Sequence, residues 1–192
     1  FVPVTEEKFE EPEPTEGSIK PEFVGKLIYA TPGSGKTTLA KSTPNVIDSD
    51  DLIVEEMNKR HPDFERNIGE NVQDFIFRYV KEYDHKGEIN EVVMNNIKDL
   101  LSKNNTVLTG TTAFIKDADF VFRMNPESTR AINRFGSVEE AKKFAAKEKE
   151  IAANAGKKAQ ETKGIEQDLI VQPVVEPTTT TPTVDRKSTR LN

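Results

Sequence analysis

The chain of 192 residues contains no cysteine, and it is short of apolar residues and of long apolar runs. Without cysteine there is neither a disulfide framework nor a thiolate metal site. No apolar run approaches the ~18–20 residues that span a bilayer, so the sequence predicts no membrane segment. Apolar residues make up 34% of the chain, below the ~45–50% typical of globular proteins, which predicts that part of its length is not packed.

Acidic residues outnumber basic ones, 33 Asp and Glu against 27 Lys and Arg. The formal net charge is −6, and residues 1–22 carry seven glutamates against two lysines, together with four prolines. This composition predicts an acidic, proline-rich, disordered segment. It disfavours nucleic acid as a partner, because displacing counterions from phosphates needs a basic surface. No signal peptide is evident after Phe1, so we expect a cytoplasmic protein.

The other end of the sequence is equally poor in large apolar residues. Residues 153–184 include the stretches ANAGKKAQETKG and PTTTTPTV, which predict a low-complexity tail. The last eight residues, DRKSTRLN at 185–192, resemble the translation of a common sequencing adapter, which would make them an artefact. A natural basic tail is the alternative. The ordered domain is therefore expected at about residues 23–152.

Within that range, short apolar runs alternate with helical patterns. Four runs bounded by turn residues predict strands, over 23–30, 45–50, 106–110 and 119–124. Apolar residues spaced three and four apart predict helices over 72–83 and 89–101. Shorter helices are expected over 36–42, ending before Pro44, and over 52–60, ending before Pro62. Strands that alternate with helices predict an α/β fold, in which a mostly parallel sheet of about four to five strands is covered on both faces. A fifth strand is not evident, since Pro173 disfavours the stretch at 168–175.

Three helix starts carry capping signals. Asp51 is expected to cap the helix that follows the second strand. Asn125-Pro126 offers a cap and a first-turn proline after the fourth strand. Ser137 with Glu140 forms a capping box for a further helix.

The clearest chemical signal is ATPGSGKT at residues 30–37, between a predicted buried strand and a helix. It fits the phosphate-binding loop, with alanine where the first glycine is usual. Glycines let successive backbone N–H groups curl around an anion, and the helix N-terminus adds its dipole. A plain glycine-rich turn is the alternative. We expect nucleotide contacts from the loop residues Thr31, Pro32, Gly33, Ser34, Gly35, Lys36, Thr37 and Thr38.

The cofactors follow from two of these side chains. Lys36 supplies a point charge for the β- and γ-phosphates, and the hydroxyl of Thr37 is a ligand for Mg²⁺. The loop therefore predicts ATP, or another nucleoside triphosphate, together with Mg²⁺.

Acidic residues follow the second predicted strand, in the stretch Asp-Ser-Asp-Asp at 48–51, whereas the third strand ends at 109–111 in Thr-Gly-Thr. Acids beside a phosphate loop can hold Mg²⁺ through waters or accept a proton from an acceptor hydroxyl. We therefore expect Asp48 near the metal and Asp50 as the acid–base group. Helix capping is the alternative for Asp50 and for Asp51.

At these residues the sequence resembles the small P-loop kinases of metabolites and nucleotides, with the shikimate kinases nearest in pattern. That family has a GSGK[ST]T-like loop and a second strand that ends in Asp-Ser/Thr-Asp, and the resemblance covers about residues 24–125. It implies a P-loop NTPase-type three-layer sandwich, with Asp48 near Mg²⁺ and Asp50 near the acceptor hydroxyl. Phe77-Arg78 is similar to a Phe-Arg pair of the family's acceptor domain, so Arg78 is a candidate acceptor contact, with a solvated helix residue as the alternative.

The remaining candidates lie later in the chain. Thr109 and Gly110 are expected to form an acceptor wall, and Gly110 stands where the family has a glycine triplet. Arg130 and Arg134 are candidate lid contacts to phosphate, with surface helix charges as the alternative. The sequence favours an ATP- and Mg²⁺-dependent phosphotransferase that acts on a small hydroxylated metabolite or a nucleotide. The alternative is a non-catalytic ATP-binding module that orders an interaction surface. Nothing in the sequence indicates an oligomeric state.

Overall fold

The computed structural model describes residues 16–173 and contains a five-stranded sheet. The strands are β1 (Leu27–Ala30), β2 (Val46–Asp48), β3 (Thr106–Thr109), β4 (Phe120–Met124) and β5 (Ala159–Thr162). They lie in the order β2-β3-β1-β4-β5, and every neighbouring pair is parallel. The predicted α/β fold with a parallel sheet is therefore confirmed.

Seven α-helices are present in the described residues: α1 (Lys36–Ser42), α2 (Ser49–Arg60), α3 (Val72–Tyr83), α4 (Glu88–Ser102), α5 (Thr129–Phe135), α6 (Val138–Asn154) and α7 (Ile165–Leu169). Short 3₁₀ helices form at Pro21–Phe23 and Thr112–Asp117. The helices predicted over 36–42, 72–83 and 89–101 are confirmed to within a residue.

Strand β1 lies at the centre of the sheet and is completely buried. Its side chains alternate, so Leu27 and Tyr29 join one apolar cluster and Ile28 and Ala30 join another. Residues of α2, α3, α4 and α6 complete the first cluster, and residues of α1 and α7 complete the second. The result is the expected three-layer sandwich, and its parallel strands bring the loops after β1, β2 and β3 to the same edge.

The predicted helix caps after β2 and β4 are wrong. Helix α2 begins at Ser49 and is capped by Asp48, whose Oδ1 accepts a hydrogen bond from the N–H of Asp50 at 3.0 Å. Strand β2 ends three residues before Asp51, so the helix starts earlier than expected. Helix α5 is capped by Ser128, because the side chain of Asn125 instead closes a turn by accepting from the N–H of Glu127.

The capping box at the start of α6 is present in its first half. The hydroxyl of Ser137 accepts a hydrogen bond from the N–H of Glu140 at 3.1 Å. This bond satisfies one of the N–H groups that the first turn leaves without a helical partner.

The predicted low-complexity tail is wrong over its first twenty or so residues, because the fifth strand and α7 lie within it. Three of the four residues of β5 are exposed, so an edge strand with the sequence AQET carries no apolar signature. Ile165 and Leu169 of α7 are completely buried against the sheet. The packed domain therefore continues to about residue 173.

The predicted disordered segment at 1–22 is also wrong for its last part. Ile19 forms an antiparallel bridge with Ile170 and packs on the second apolar cluster. The N–H of Lys20 donates to the carbonyl of Leu169 at 2.8 Å. The two segments brace each other, although neither has the composition of a core element.

The other predictions for the ends, at residues 1–15, 174–184 and 185–192, lie outside the described residues. Between residues 16 and 173, no helix combines the length and the apolarity that crossing a membrane requires.

Candidate nucleotide site

The loop between β1 and α1 contains two glycines in backbone conformations that other residues rarely adopt. Gly33 and Gly35 have φ angles of +90° and +104°, in the left-handed region that favours glycine. A Cβ on Gly33 would lie 2.8 Å from Cγ of Arg134, and one on Gly35 would lie 3.0 Å from Oε2 of Glu166. Side chains from later in the chain therefore approach the loop as closely as glycine permits.

Lys36 is buried at the start of α1 and turns back onto the loop. Its Nζ donates to the carbonyl oxygens of Ala30 and Thr31 at 3.0 and 3.2 Å. Burial lowers the pKa of Lys36 to about 8, although the nearby charges of Asp48 and Asp50 oppose this shift. The ammonium is held by exchangeable bonds to neutral carbonyls, so an anion would be a stronger partner.

Thr37 and Asp48 come together as an oxygen pair beside the loop. The hydroxyl of Thr37 donates to Oδ2 of Asp48 at 3.1 Å, and Asp48 is almost fully buried at the end of β2. Hydroxyl and carboxylate oxygens suit Mg²⁺, which takes one or two protein ligands and completes its shell with phosphate oxygens and water. No group of three or more acidic, histidine or cysteine side chains that could hold a metal occurs within residues 16–173, and this pair needs none.

Asp50 is the acid that faces the loop. Burial, together with the charge of Asp48, raises the pKa of Asp50 to about 6, while Lys36 acts in the opposite direction. A carboxyl group near this value can accept a proton close to neutral pH. Its environment differs from that of Asp51, which is exposed on the next position of α2.

A cavity of about 400 Å³ lies over the loop. Its wall includes loop and α1 residues, the acid Asp50, the start of α3 and a guanidinium: Gly33, Gly35, Lys36, Thr37, Thr38, Asp50, Asn71, Val72, Gln73 and Arg134. Arg134 crosses this cavity and hydrogen-bonds the side-chain oxygen of Gln73. The loop, an acid and a cation thus face a single space.

Arg130 reaches the other side of the loop. Its Nη1 donates to the carbonyl of Ser34 at 3.2 Å, and its Nη2 lies 3.3 Å from Oε1 of Glu166. The N–H of Ile165 donates to the same carbonyl of Ser34 at 3.1 Å. Both candidate lid arginines therefore contact the loop, Arg130 with help from α7.

The other candidates are engaged elsewhere. Thr109 is completely buried, and its hydroxyl accepts from that of Ser49 at 2.8 Å, which ties β3 to α2. Gly110 borders Lys36, since a Cβ there would lie 2.9 Å from Nζ. Arg78 pairs with Glu70 at 2.9 Å and is absent from the wall of the loop cavity. None of these three residues lines the loop cavity, and their predicted acceptor contacts stay predictions.

A buried polar network, which the sequence did not predict, connects α6 to strand β1 and to the start of the loop. Oε2 of Glu148, in α6, accepts from the hydroxyls of Tyr29 and Thr31 at 2.5 and 2.8 Å. Its Oε1 lies 3.9 Å from Nε of Arg123, and neither atom has a hydrogen-bond partner among the described residues. Burial raises the pKa of Glu148, against the hydrogen bonds from Tyr29 and Thr31.

This network leads directly to the loop lysine. The hydroxyl of Thr31 also accepts from the N–H of Met124, while the carbonyl of Thr31 accepts from Lys36. A signal for Glu148 was present in the sequence, because it lies on the alanine face of α6 with Ala145 and Ala152. A single acid on an otherwise small, apolar face indicates a buried polar partner. Nothing comparable marks Asn71, Gln73 or Glu166.

No protein-family model matches the chain, and no curated protein is significantly similar to it. The reading of the 30–37 stretch as a phosphate-binding loop therefore stands on its residues and their contacts.

Proposed function

We propose that the protein is an ATP- and Mg²⁺-dependent phosphotransferase that acts on a small hydroxylated acceptor. The observation that carries the proposal is the shared cavity, which Lys36, Thr37 and Asp50 all line. A phosphate loop and an acid of raised pKa that face one space supply both sides of a phosphoryl transfer. The resemblance to small P-loop kinases supports the same reading.

On the nucleotide side, the loop N–H groups and the ammonium of Lys36 hold the β- and γ-phosphates. Thr37 and Asp48 would hold Mg²⁺, and this ion would supply positive charge to the phosphate oxygens. Arg134 lies across the loop from Lys36 and adds a second cation to the cavity wall. Its bond to a neutral glutamine is easily exchanged for one to phosphate.

On the acceptor side, Asp50 orients the attacking hydroxyl and takes its proton. A bond forms between the acceptor oxygen and the γ-phosphorus, the bond from that phosphorus to the β–γ bridging oxygen breaks, and ADP leaves with that oxygen. The acid stands two residues beyond the metal-side Asp48, at the start of α2. The two roles are thus assigned to different residues, metal binding to Asp48 and proton transfer to Asp50.

The test is a screen for ADP release from Mg·ATP with nucleosides, sugars and hydroxy acids as acceptors, combined with titration calorimetry of Mg·ATP. We expect at least one acceptor to stimulate ADP release. Asp50→Asn should keep the affinity for Mg·ATP and lower transfer by ~10²–10⁴, the range for a positioned acid–base group. Asp99→Asn, on the exposed end of α4, is the matched control.

Asp48→Asn separates the metal role from the acid–base role. It should weaken the Mg²⁺ dependence of both nucleotide binding and turnover, because its oxygen lies beside Thr37. Saturable Mg·ATP binding without turnover on any acceptor would favour the non-catalytic module. If Asp50→Asn turned over at the wild-type rate, Asp50 would have only a structural role in the first turn of α2. The proposed mechanism would then have no residue to accept the acceptor proton.

A further inference from the structure

A second cavity of about 400 Å³ adjoins the one over the loop. It lies between α2, the segment that follows α2, and the start of α3. Val72 lines both cavities, and the consecutive residues Asp50 and Asp51 line one each. A ligand in the second cavity can therefore reach Asp50 by passing Val72, and the volume is in the range of small-molecule sites.

The wall of this cavity is largely apolar and partly aromatic. Phe64 and Phe75 are stacked with ring centroids 5.6 Å apart and planes 9° from parallel. Val54 and Pro62 extend the apolar surface. The guanidinium of Arg78 lies 4.3 Å from the centroid of Phe64 and, being paired with Glu70, holds that ring in place. This wall suits a flat ring.

The charges on the wall do not suit an anion. Asp51 and Glu65 line the cavity, against a single guanidinium in the described part of the wall, Arg66. The Nε of Arg66 already donates to the carbonyl of Glu70. A carboxylate or phosphate group on the ligand would therefore face two carboxylates and one guanidinium, so repulsion would outweigh attraction. Asn58 adds a neutral donor and acceptor that can read the polar edge of a ring.

We propose that the phosphate acceptor is an uncharged alcohol of the nucleoside class, with its ring in the second cavity and its hydroxyl directed past Val72 towards Asp50. This inference rests on the proposed function, because it names the acceptor of the same reaction. It excludes two classes of preferred acceptor. One is the hydroxy acids, which the resemblance to shikimate kinases would imply, and the other is the nucleoside monophosphates. The acceptor wall thereby moves from the loop after β3 to α2 and α3.

The first experiment measures binding without turnover. Adenosine, guanosine, cytidine and thymidine are titrated separately into protein saturated with Mg·ADP, alongside their 5′-monophosphates and a panel of hydroxy acids. We expect at least one nucleoside to bind saturably and at least tenfold more tightly than its monophosphate. Tighter binding of the monophosphate or of an acid, or no nucleoside binding, overturns the inference.

The second experiment blocks the cavity. Asn58→Trp places a large side chain on an exposed helix position that lines the cavity, so folding should be preserved. It should raise the nucleoside Kd and the acceptor KM at least tenfold and leave the Mg·ATP Kd within twofold. Asn95→Trp, exposed on α4, should change neither. Equal nucleoside binding by wild type and Asn58→Trp would place the acceptor elsewhere.

Turnover then separates the two proposals. If nucleosides bind in the second cavity and no phosphate is transferred to them or to any other acceptor, the phosphotransferase proposal fails and the cavity assignment stands. If hydroxy acids are phosphorylated and nucleosides do not bind, the phosphotransferase proposal stands and the nucleoside assignment fails.

Discussion

The loop at residues 30–37, which we propose binds phosphate, and the residues that surround it are encoded in different ways. The loop is one stretch of consecutive residues, and its shape follows from glycines with positive φ between a strand and a helix. Its surroundings are assembled from distant positions, since Arg130 contacts Ser34 across 96 residues and Glu148 contacts Thr31 across 117. Local geometry needs only local sequence, whereas the surroundings exist only once α5, α6 and α7 have packed.

The largest effect we expect concerns the support beneath the loop. Glu148→Ala removes a buried carboxylate from two hydroxyl donors and from Arg123. Breaking a buried pair by removing one partner costs about 3–5 kcal/mol, a large share of a typical free energy of unfolding. Urea unfolding measures the loss. Glu150→Ala, exposed on the same helix, should change the free energy of unfolding by less than about 0.5 kcal/mol.

A cost below about 1 kcal/mol for Glu148→Ala would contradict this role. The loop would then keep its shape without the Glu148 network, and the distant residues that surround it would contribute little to the free energy of unfolding.

The same carboxyl group predicts a pH dependence. Burial raises the pKa of Glu148 above its ordinary value of 4.5. The folded chain then holds this proton more tightly than the unfolded chain, so the stabilisation is present below about pH 4.5 and is lost as pH rises through the folded pKa. Glu148→Gln does not titrate, so the wild-type free energy of unfolding should fall relative to that of the variant over this range. Urea unfolding at a series of pH values checks this, and a wild-type free energy of unfolding that rises relative to that of Glu148→Gln as pH increases would contradict it.

The next effect concerns the loop itself. Lys36→Met removes the ammonium that we assign to phosphate, and charge-assisted hydrogen bonds of this kind contribute about 1.5–3 kcal/mol. The Kd for Mg·ATP should rise by roughly 10- to 100-fold in titration calorimetry. The domain should stay folded, because burial already lowers the pKa of Lys36 to about 8 and thus disfavours its charge. Lys41→Met, exposed on the same helix, is the control. Unchanged affinity of Lys36→Met would refute the phosphate-loop assignment.

The same difference explains which features could be predicted from the sequence: those formed by consecutive residues could, and those that depend on contacts between distant residues could not. The central strand, three of the helices and the loop have strong local patterns: buried apolar runs, residues spaced three and four apart, and glycines at fixed positions. Strand β5 has none, because it is exposed on one edge and pairs only with β4. Asp51 was a reasonable cap by residue type, but the length of β2 determines the cap, and that length depends on its pairing with β3.

A smaller effect is expected beside the lysine. A Cβ at position 110 would lie 2.9 Å from Nζ and 3.0 Å from Cε of Lys36. Gly110→Ala should therefore displace the flexible end of Lys36 with little change in stability and weaken Mg·ATP binding by about 1 kcal/mol, roughly fivefold in Kd. In the Lys36→Met background the same substitution should have less effect, which a double-mutant cycle measures. Additive effects would show that position 110 acts on the nucleotide independently of Lys36.

An effect of similar size concerns the contact between the two ends of the described chain, which lies outside the centre of the domain core. Ile19 is half-buried, bridges Ile170 and packs on the second apolar cluster, although its surrounding sequence is acidic and rich in proline. Truncating a fully buried isoleucine to alanine costs about 2–5 kcal/mol, so we expect about 1–2 kcal/mol for Ile19→Ala. For a domain of this size the thermal midpoint should fall by roughly 2–8 °C. Val24→Ala, at an exposed apolar residue nearby, is the control. An unchanged midpoint for Ile19→Ala would show that this contact adds nothing to stability, and that the composition of this segment was a sound guide to its energetics after all.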